Sequence, residues 1–219
     1  MNIFVLHDNP RIAAQMHCDK HVSKMIIEHA QMMASAYYST IGISRKKEFP
    51  ENQDRINELF QGWPRKHEDG SDFPYSISHV NHPCTIWTRK SRSNFYWLLD
   101  CTKALCEEFT YRYKGKHSVE AIVDWMYQNP PYLPDTGLTP FAQALPDCFK
   151  NEDAIKAYRR YYAFKTTYMK VVWKMEERTP HWWRMGHISS SIDLYRAFNP
   201  EWTGGVLFTH EGTKILKAA

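Results

Sequence analysis

The sequence lacks the features that mark several specialised classes of protein. It contains no internal repeat, no low-complexity segment and no run approaching the roughly eighteen apolar residues of a membrane span. Its N-terminus has neither the basic segment nor the long apolar segment of a secretory signal. The five cysteines are odd in number, and no two have the two-residue separation typical of zinc ribbons and redox motifs. These absences predict a cytoplasmic protein with reduced thiols and no membrane partner.

The composition is that of a globular protein with many aromatic side chains. Of the 219 residues, 43% are hydrophobic and 15% are aromatic, which is enough to bury one sizeable core. We therefore expect a single domain over residues 1–219. The 28 basic and 24 acidic residues leave a formal charge of +4, which is compatible with an anionic partner but does not require one.

Apolar residues recur with helical spacing through most of the chain, which predicts a mainly α fold. We expect a single compact helical domain built on three or four long helices. These helices are predicted near residues 10–38, 84–114, 118–128 and 152–175. The first of them either continues through Cys18 or breaks there. Asn9 and Pro10 form a typical helix start, because asparagine caps free N–H groups and proline has no N–H to leave unpaired.

Three segments depart from the helical pattern. The apolar run at residues 2–6 is consistent with a short buried N-terminal strand. Residues 39–81 combine charge runs with several Gly and Pro, so we expect a long loop with at most a short helix near residues 54–60. Near the C-terminus, two short apolar runs flank a turn that contains Gly212, which suggests a hairpin.

The most informative stretch lies in the first predicted helix and places ionisable side chains on one face. At 3.6 residues per turn, these side chains share a single stripe: His17, His21, Lys24 and Glu28. Such a stripe can serve three chemistries. A carboxylate beside a basic group is a general acid or base, an amine beside a cation is a nucleophile for a sugar C1′, and paired imidazoles are metal ligands. A buried polar cluster that braces the helices is the structural alternative.

The histidine pair alone does not predict a metal site. His17 and His21 have the spacing of zinc-binding helices, but the glutamate of the His-Glu-x-x-His pattern is missing. We therefore assign Glu28, His21 and Lys24 as candidate catalytic residues, and we assign no metal ligands and no cofactor.

The last predicted helix carries a basic face interleaved with tyrosines, which is typical of a nucleic-acid surface. Arginine-flanked tryptophans follow this helix and suit a stacked or flipped base. The candidate DNA-binding residues are Lys20, Arg159, Arg160, Lys165, Arg178, Trp182, Trp183 and Arg184. The structural alternatives are a solvated helix face whose tyrosines pack inward, and a tryptophan pair that closes the core.

These residues resemble a known family, the small and mainly helical pyrimidine-dimer DNA glycosylases with abasic-site lyase activity, known from a tailed bacteriophage. The motif Asp19-x-His21-Val22, with Glu28 seven residues after the histidine, is similar to that family's Asp-x-His-Leu followed by Glu. The second long helix and the ending Arg178-Thr-Pro-His-Trp-Trp are similar to the family's later parts. The resemblance covers residues 10–38, 82–115 and 151–184.

The resemblance implies that Glu28 stabilises a charged sugar intermediate and shuttles protons, with His21 beside the scissile sugar. In the family, the nucleophile is the α-amine of a small residue exposed when methionine is removed. Here the residue after the initial methionine is Asn2, which is bulky for that removal. Lys24 or Lys20 is then the alternative amine. If water attacks instead, no lyase step follows.

We therefore expect a DNA base-excision enzyme, located in the host-cell cytoplasm if the protein is phage-encoded. It would flip a damaged or modified pyrimidine out of double-stranded DNA and cleave its N-glycosidic bond, with or without abasic-site lyase activity. Two other classes stay open. One is a non-catalytic DNA-binding accessory protein that uses the basic face alone, and the other is a hydrolase or modifying enzyme that acts on free nucleotides.

Overall fold

The structure is a computed structural model that describes residues 1–167, 169–184, 206–208 and 214–216. As the apolar spacing predicts, the chain is mainly helical. The helices are α1 (Pro10–Gln15), α2 (Asp19–Thr40), α3 (Gln53–Leu59), α4 (Pro83–Lys90), α5 (Arg92–Tyr113), α6 (Glu120–Gln128), α7 (Ala154–Phe164) and α8 (His181–Arg184). The predicted hairpin is present as two short antiparallel strands, β1 (Val206–Phe208) and β2 (Lys214–Leu216).

The long helices α2 and α5 pack against each other and form the centre of the fold. Helix α1 packs on α5, and α4 packs on both long helices. The inward face of α2 is apolar and includes the fully buried Ile26 and Met33, which share the core with Leu98 and Leu105 of α5. Among the described residues, no helix is both long enough and apolar enough to cross a bilayer.

The predicted helix near residues 10–38 is two helices, with the break close to Cys18. The Asn9 side chain accepts the N–H groups of Arg11 and Ile12, so the predicted start of α1 is confirmed. Helix α2 begins after Cys18, whose extended backbone (φ −67°, ψ 159°) cannot continue α1. Because the break includes His17, the predicted stripe is corrected: only His21, Lys24 and Glu28 lie together on α2.

The predicted helix near residues 84–114 is also two helices, and the single-helix expectation is corrected at Ser91. This residue is extended (φ −149°, ψ 157°), and its hydroxyl oxygen accepts the N–H of Asn94 as a helix cap. The same hydroxyl donates to the carbonyl of Gly137, 2.7 Å away. A serine that bonds locally in this way favours a cap over a helix interior.

The predicted N-terminal strand is absent, because residues 2–6 pair with no other strand in the part of the chain that the structure describes. These residues instead thread through the core as an irregular segment, with Ile3, Val5 and Leu6 fully buried. At Phe4 the backbone has a φ of 35°, which non-glycine residues seldom adopt. The side-chain oxygen of Asn2 accepts the N–H groups of Ile3 and Phe4, and so holds the turn.

The last predicted helix, near residues 152–175, is shorter than expected. Helix α7 ends at Phe164 and continues as one 3-10 turn at Lys165–Thr167. Beyond it, the carbonyl of Val172 accepts the N–H of Asp19, and the N–H of Lys174 donates to the Asp19 carboxylate. These hydrogen bonds to the start of α2 hold the segment in a non-helical course, against its helical spacing. Helix α6 likewise begins at Glu120, two residues later than predicted.

The long loop predicted at residues 39–81 is confirmed, with α3 as its predicted short helix and two 3-10 turns before it, at Lys46–Glu48 and Pro50–Asn52. The end of this loop returns along α2. The hydroxyl of Ser35 donates to the carbonyl of Ser78, at 2.9 Å, and the N–H of Ser78 donates back. The end of the loop is therefore attached to the second half of α2, and α4, which follows it, packs on α2.

Candidate functional site

The Glu28 carboxylate is the centre of a small cluster of charges on α2. Its Oε1 lies 3.3 Å from the Lys24 amine, one turn earlier on the helix. Its Oε2 lies 3.8 Å from the α-amine of Met1. The Glu28 side chain is 16% exposed, whereas that of Lys24 is 59% exposed. The Glu28 carboxylate is therefore mostly withdrawn from water, whereas the Lys24 side chain beside it is exposed.

The approach of the Met1 amine depends on the buried segment that follows it. The side-chain nitrogen of Asn2 donates to the carbonyl of Ala144, 2.8 Å away. This hydrogen bond attaches the start of the segment to a residue that is distant in sequence. The unusual backbone at Phe4 turns the chain into the core immediately afterwards. Backbone strain of this kind persists only where surrounding contacts impose it, and it is common at functional sites.

The predicted catalytic residue His21 lies behind Phe4. The two rings are stacked with centroids 4.7 Å apart, and Nδ1 of His21 is 2.8 Å from the hydroxyl of Tyr162. That hydroxyl also accepts the N–H of Cys18. Burial, followed by the charges of His17 and nearby lysines, lowers the pKa of His21 well below its usual value. The imidazole is therefore neutral near pH 7 and buried beneath the segment that carries Met1.

Two residues at the start of α4 lie within electrostatic range of the Met1 amine, and neither was among the sequence-predicted site residues. Burial lowers the pKa of His82, the positive charge of the Met1 amine lowers it further, and Glu28 raises it. The same amine lowers the pKa of Cys84, although burial dominates and raises it to about 11. In the sequence, His82 stands before Pro83 and resembles a helix cap, so its position gave no sign of the site.

Lys165, predicted to bind DNA, also lies at this cluster. Its amine is 5.1 Å from the centre of the Phe4 ring and 5.0 Å from that of Tyr161. Burial, followed by the charge of Lys24, lowers the pKa of Lys165 to about 8. Lys20 acts in the same direction and lies one helical turn before Lys24. The structure thus brings Lys24 and Glu28 together, and it places the Lys165 amine beside the Phe4 ring that is stacked on His21.

Two of the predicted DNA-binding arginines make contacts within the protein. Nε of Arg159 donates to the carbonyl of Leu6 at 3.0 Å, and its guanidinium lies over the ring of Trp182. Arg178 donates to the Glu108 carboxylate. Both guanidinium groups therefore interact with groups of the protein itself. Arg160 is half-buried, as Arg159 is.

The tryptophan pair packs inward, as the structural alternative predicts. Trp183 is buried and contacts Trp173, with ring centroids 4.9 Å apart. Trp182 is half-buried, and its Nε1 donates to the sulfur of Met16 at 3.4 Å. The backbone of Arg184 closes α8, but its side chain lies outside the described part of the structure. The pair closes the core beside the break between α1 and α2.

A buried ion network accounts for Asp19, the first residue of the motif. The guanidinium of Arg112 is fully buried and donates to Asp19, to Glu108 and to the backbone carbonyls of His17 and Gln15. The pair of Arg112 with Asp19 joins α5 to the start of α2. Each charged side chain of the network has a partner of opposite charge. The spacing of Glu108 and Arg112, four residues apart on one helix, is the sequence signal of this network.

The described residues contain no group of three or more His, Cys, Asp or Glu that could hold a metal ion. Nδ1 of His17 donates to the carbonyl of Ala13 at 2.8 Å, and His21 is engaged with Tyr162. The centroids of the two imidazoles are 6.4 Å apart.

Comparison with protein-family models, with curated proteins and with solved structures gave no match. The resemblance to the pyrimidine-dimer glycosylases therefore stays a prediction from the motifs, and the argument for function depends on the geometry at Glu28.

Proposed function

We propose that the protein is a DNA base-excision enzyme, a glycosylase that cleaves the N-glycosidic bond of a damaged or modified pyrimidine and then acts as an abasic-site lyase. One observation carries the proposal. A largely buried carboxylate, Glu28, lies within 4 Å of two different amines, the α-amine of Met1 and Nζ of Lys24. An amine and a carboxylate in this relation are the two groups that such a reaction needs.

The reaction that this pair can perform has two stages. An amine attacks C1′ of the sugar, and the base leaves with the electron pair of the N-glycosidic bond and takes up a proton. The positive charge that develops on the sugar faces the Glu28 carboxylate, which stabilises it electrostatically. The sugar ring then opens as the C1′–O4′ bond breaks and O4′ takes up a proton, which leaves the nitrogen joined to C1′ as an iminium. Loss of a C2′ proton to Glu28 then expels the 3′ phosphate, and water releases the amine.

Both amines stay candidates for the attacking group. The α-amine of Met1 is placed by a buried and hydrogen-bonded segment, so its position is well defined. Lys24 is more exposed and has a flexible stem, so it can reach farther from the helix. With water in place of either amine, the first stage would proceed without the second.

The geometry offers less support for a non-catalytic DNA-binding protein. That alternative needs the late basic face to be available to phosphates, whereas Arg159 and Arg178 bind groups of the protein itself. That alternative also gives no role to the two amines, those of Met1 and Lys24, that lie beside the Glu28 carboxylate.

A borohydride-trapping experiment tests the proposal without knowledge of the target base. The protein is incubated with a duplex that holds one abasic site, and borohydride is added to reduce any iminium to a stable bond. We expect strand cleavage without borohydride and a covalent protein–DNA adduct with it. Mass spectrometry of the digested adduct identifies the amine as that of Met1 or of Lys24.

An ultraviolet-irradiated duplex and a duplex with modified pyrimidines test the glycosylase stage in parallel, by release of the free base. Base release without an adduct would assign the attack to water and remove the lyase step. Neither base release nor cleavage of the abasic duplex would contradict the proposed function.

A further inference from the structure

A cavity lies between the last turns of α2, helix α3 and the later part of the long loop. Its volume is about 180 Å³, and the rings of Tyr38, Phe49 and Phe60 line it. The Tyr38 ring is stacked on Phe49 and tilted against Phe60, with centroids 5.0 and 4.9 Å apart. In another protein an apolar cavity of about 150 Å³ holds one benzene ring. This cavity therefore has room for a single six-membered ring.

The Tyr38 hydroxyl gives the cavity a buried polar group without a partner. Tyr38 is 1% exposed, and its hydroxyl forms no hydrogen bond within the part of the chain that the structure describes. Burial raises the pKa of this phenol, so it stays protonated and is a hydrogen-bond donor. A polar group withdrawn from water without a partner is unfavourable, and a ligand atom that accepts its proton removes that penalty.

Two amides of α3 add hydrogen-bonding groups where the cavity is open to water. Gln53 and Asn57 both line the cavity and are both exposed. Nε2 of Gln53 donates to Oδ1 of Asn57 at 2.8 Å, and this bond leaves the Gln53 oxygen and the Asn57 nitrogen without partners among the described residues. With both amides reversed, one oxygen and one nitrogen would still be free. Together with the Tyr38 hydroxyl, the cavity presents one acceptor and two donors.

The remaining lining favours a neutral and planar ligand. The Asp72 carboxylate is bonded to the Lys66 amine and to the N–H of Gly62, so its charge is already balanced. Phe73 also lines the cavity and is 41% exposed, with the His67 ring 4.2 Å from its own between centroids. An exposed aromatic ring in this position can stack on a flat ligand and shield it from water.

We propose that this cavity binds the ring of thymine or uracil. On one edge these neutral pyrimidines present an N–H between two carbonyl oxygens, which is the complement of one acceptor and two donors. Cytosine has an amino donor in place of one of these oxygens, and its ring nitrogen is an acceptor. A purine has two fused rings and exceeds the space for one. The site is separate from the reacting carboxylate, because Tyr38 lies about 15 Å beyond Glu28 along α2.

Two sources can supply such a ring, and they have the same chemistry at the cavity. One is a free nucleoside, whose sugar would lie at the open end. The other is an unpaired base of DNA, and this source rests on the proposed function. A base held here would fix the register of the DNA on the protein at a distance from Glu28.

The test compares four proteins: the unaltered chain, Tyr38→Phe, Tyr37→Phe and Asn57→Ala. Tyr38→Phe removes the hydroxyl and keeps the ring. Tyr37 is a matched control, because it is the neighbouring buried tyrosine and its hydroxyl donates to the carbonyl of Asn129, 2.7 Å away, rather than lining the cavity. Melting temperatures establish that each variant is folded. Calorimetric titration with thymidine and with cytidine measures binding.

We expect thymidine to bind the unaltered protein more tightly than cytidine does. Tyr38→Phe and Asn57→Ala should each weaken thymidine binding about tenfold, because each removes one hydrogen bond to the ligand. Tyr37→Phe should bind thymidine like the unaltered protein, although it should melt at a lower temperature. The proposal is wrong if thymidine does not bind at millimolar concentration, if it binds no better than cytidine, or if Tyr38→Phe binds it like Tyr37→Phe.

A duplex with one extra, unpaired thymine separates the two sources when it is compared with the fully paired duplex. If Tyr38→Phe weakens binding of the bulged duplex as well as of thymidine, the cavity accepts a base of DNA. If it weakens thymidine binding alone, the occupant is a free nucleoside. Cleavage of an abasic duplex should be the same for Tyr38→Phe as for the unaltered protein. Failure of the cavity therefore leaves the role of Glu28 untouched, whereas absence of cleavage with normal thymidine binding contradicts the proposed function alone.

Discussion

The ring of Phe4 is stacked on the imidazole of His21, with 4.7 Å between centroids and 22° between planes. This contact joins the buried N-terminal segment to the first turn of α2. The α-amine at the start of the segment approaches Glu28 two turns further along the same helix. The contact therefore gives His21 a positioning role: the imidazole supports the segment that holds an amine beside the carboxylate.

The positioning role predicts a mild effect of His21→Phe. Phenylalanine keeps the stacking on Phe4 but loses the contact with Tyr162, so we expect a loss of about 1–3 kcal/mol in unfolding free energy. The single-turnover rate should fall less than tenfold. A general acid or base contributes about a hundredfold or more, so a loss of that size in folded protein would return His21 to the reacting groups.

The two neighbouring arginines of α7 should differ in their effects. Arg160→Ala should reduce the slope of log K against log salt for duplex binding by about one, because a phosphate contact is lost. Arg159→Ala should leave the slope unchanged and lower stability by about 1 kcal/mol, because its hydrogen bond to the Leu6 carbonyl is lost. Salt-dependent binding and urea unfolding of both variants check this. A slope for Arg160→Ala equal to that of the unaltered protein would show that α7 does not contact DNA at Arg160.

Arg112 and Arg11 offer a matched comparison of a buried and an exposed ion pair that both involve α5. Arg112→Met removes a fully buried guanidinium and leaves the carboxylates of Asp19 and Glu108 with fewer partners, which should cost about 3–5 kcal/mol of unfolding free energy. Arg11→Met breaks an exposed pair with Glu107 and should cost less than about 1 kcal/mol. Urea unfolding measures both changes. Similar losses would mean that the buried network does not stabilise the fold.

Buried histidines predict a loss of stability in mild acid. Burial lowers the pKa of His17 to about 4 and that of His29 to about 3 in the folded protein, from an ordinary value of 6.5. Between pH 6.5 and these lower pKa values, the unfolded chain binds more protons than the folded protein does. The free energy of unfolding is therefore highest above about pH 6.5 and falls as the pH drops toward 4. Each histidine contributes up to about 1.4 kcal/mol per pH unit. The melting temperature measured from pH 7.5 to 4.5 checks this, and His29→Leu should make the decline shallower.

The fold class could be predicted because it depends on local spacing. Apolar residues at helical intervals marked α2 and α5, and the Asn9 side chain capped α1 as its chemistry requires. The end of α7 could not be predicted, since it depends on hydrogen bonds between Asp19 and residues 172–174, which are distant in sequence. The buried course of residues 2–6 depends likewise on contacts with Ala144 and other distant residues.

The candidate site likewise has one part that the local sequence predicts and another part that depends on distant residues. The approach of Lys24 to Glu28 follows from their positions one turn apart on a helix, and the sequence predicts it. The approach of the Met1 amine to the same carboxylate depends on tertiary structure and has no local signal. The partners of Arg159 and Arg178 are also distant in sequence, so a basic pattern alone could not separate arginines that bind the protein from those available to DNA.

The central claim is that Glu28 acts on the substrate rather than on the fold, and Glu28→Gln tests it most directly. Glutamine keeps the shape but removes the charge that stabilises the sugar intermediate. One preparation is used to measure single-turnover cleavage of the abasic duplex, duplex affinity and melting temperature. We predict a loss of at least about a hundredfold in rate, or roughly 2.7 kcal/mol of barrier, with affinity and melting temperature nearly unchanged. A large drop in melting temperature with normal cleavage by the folded protein would contradict the account.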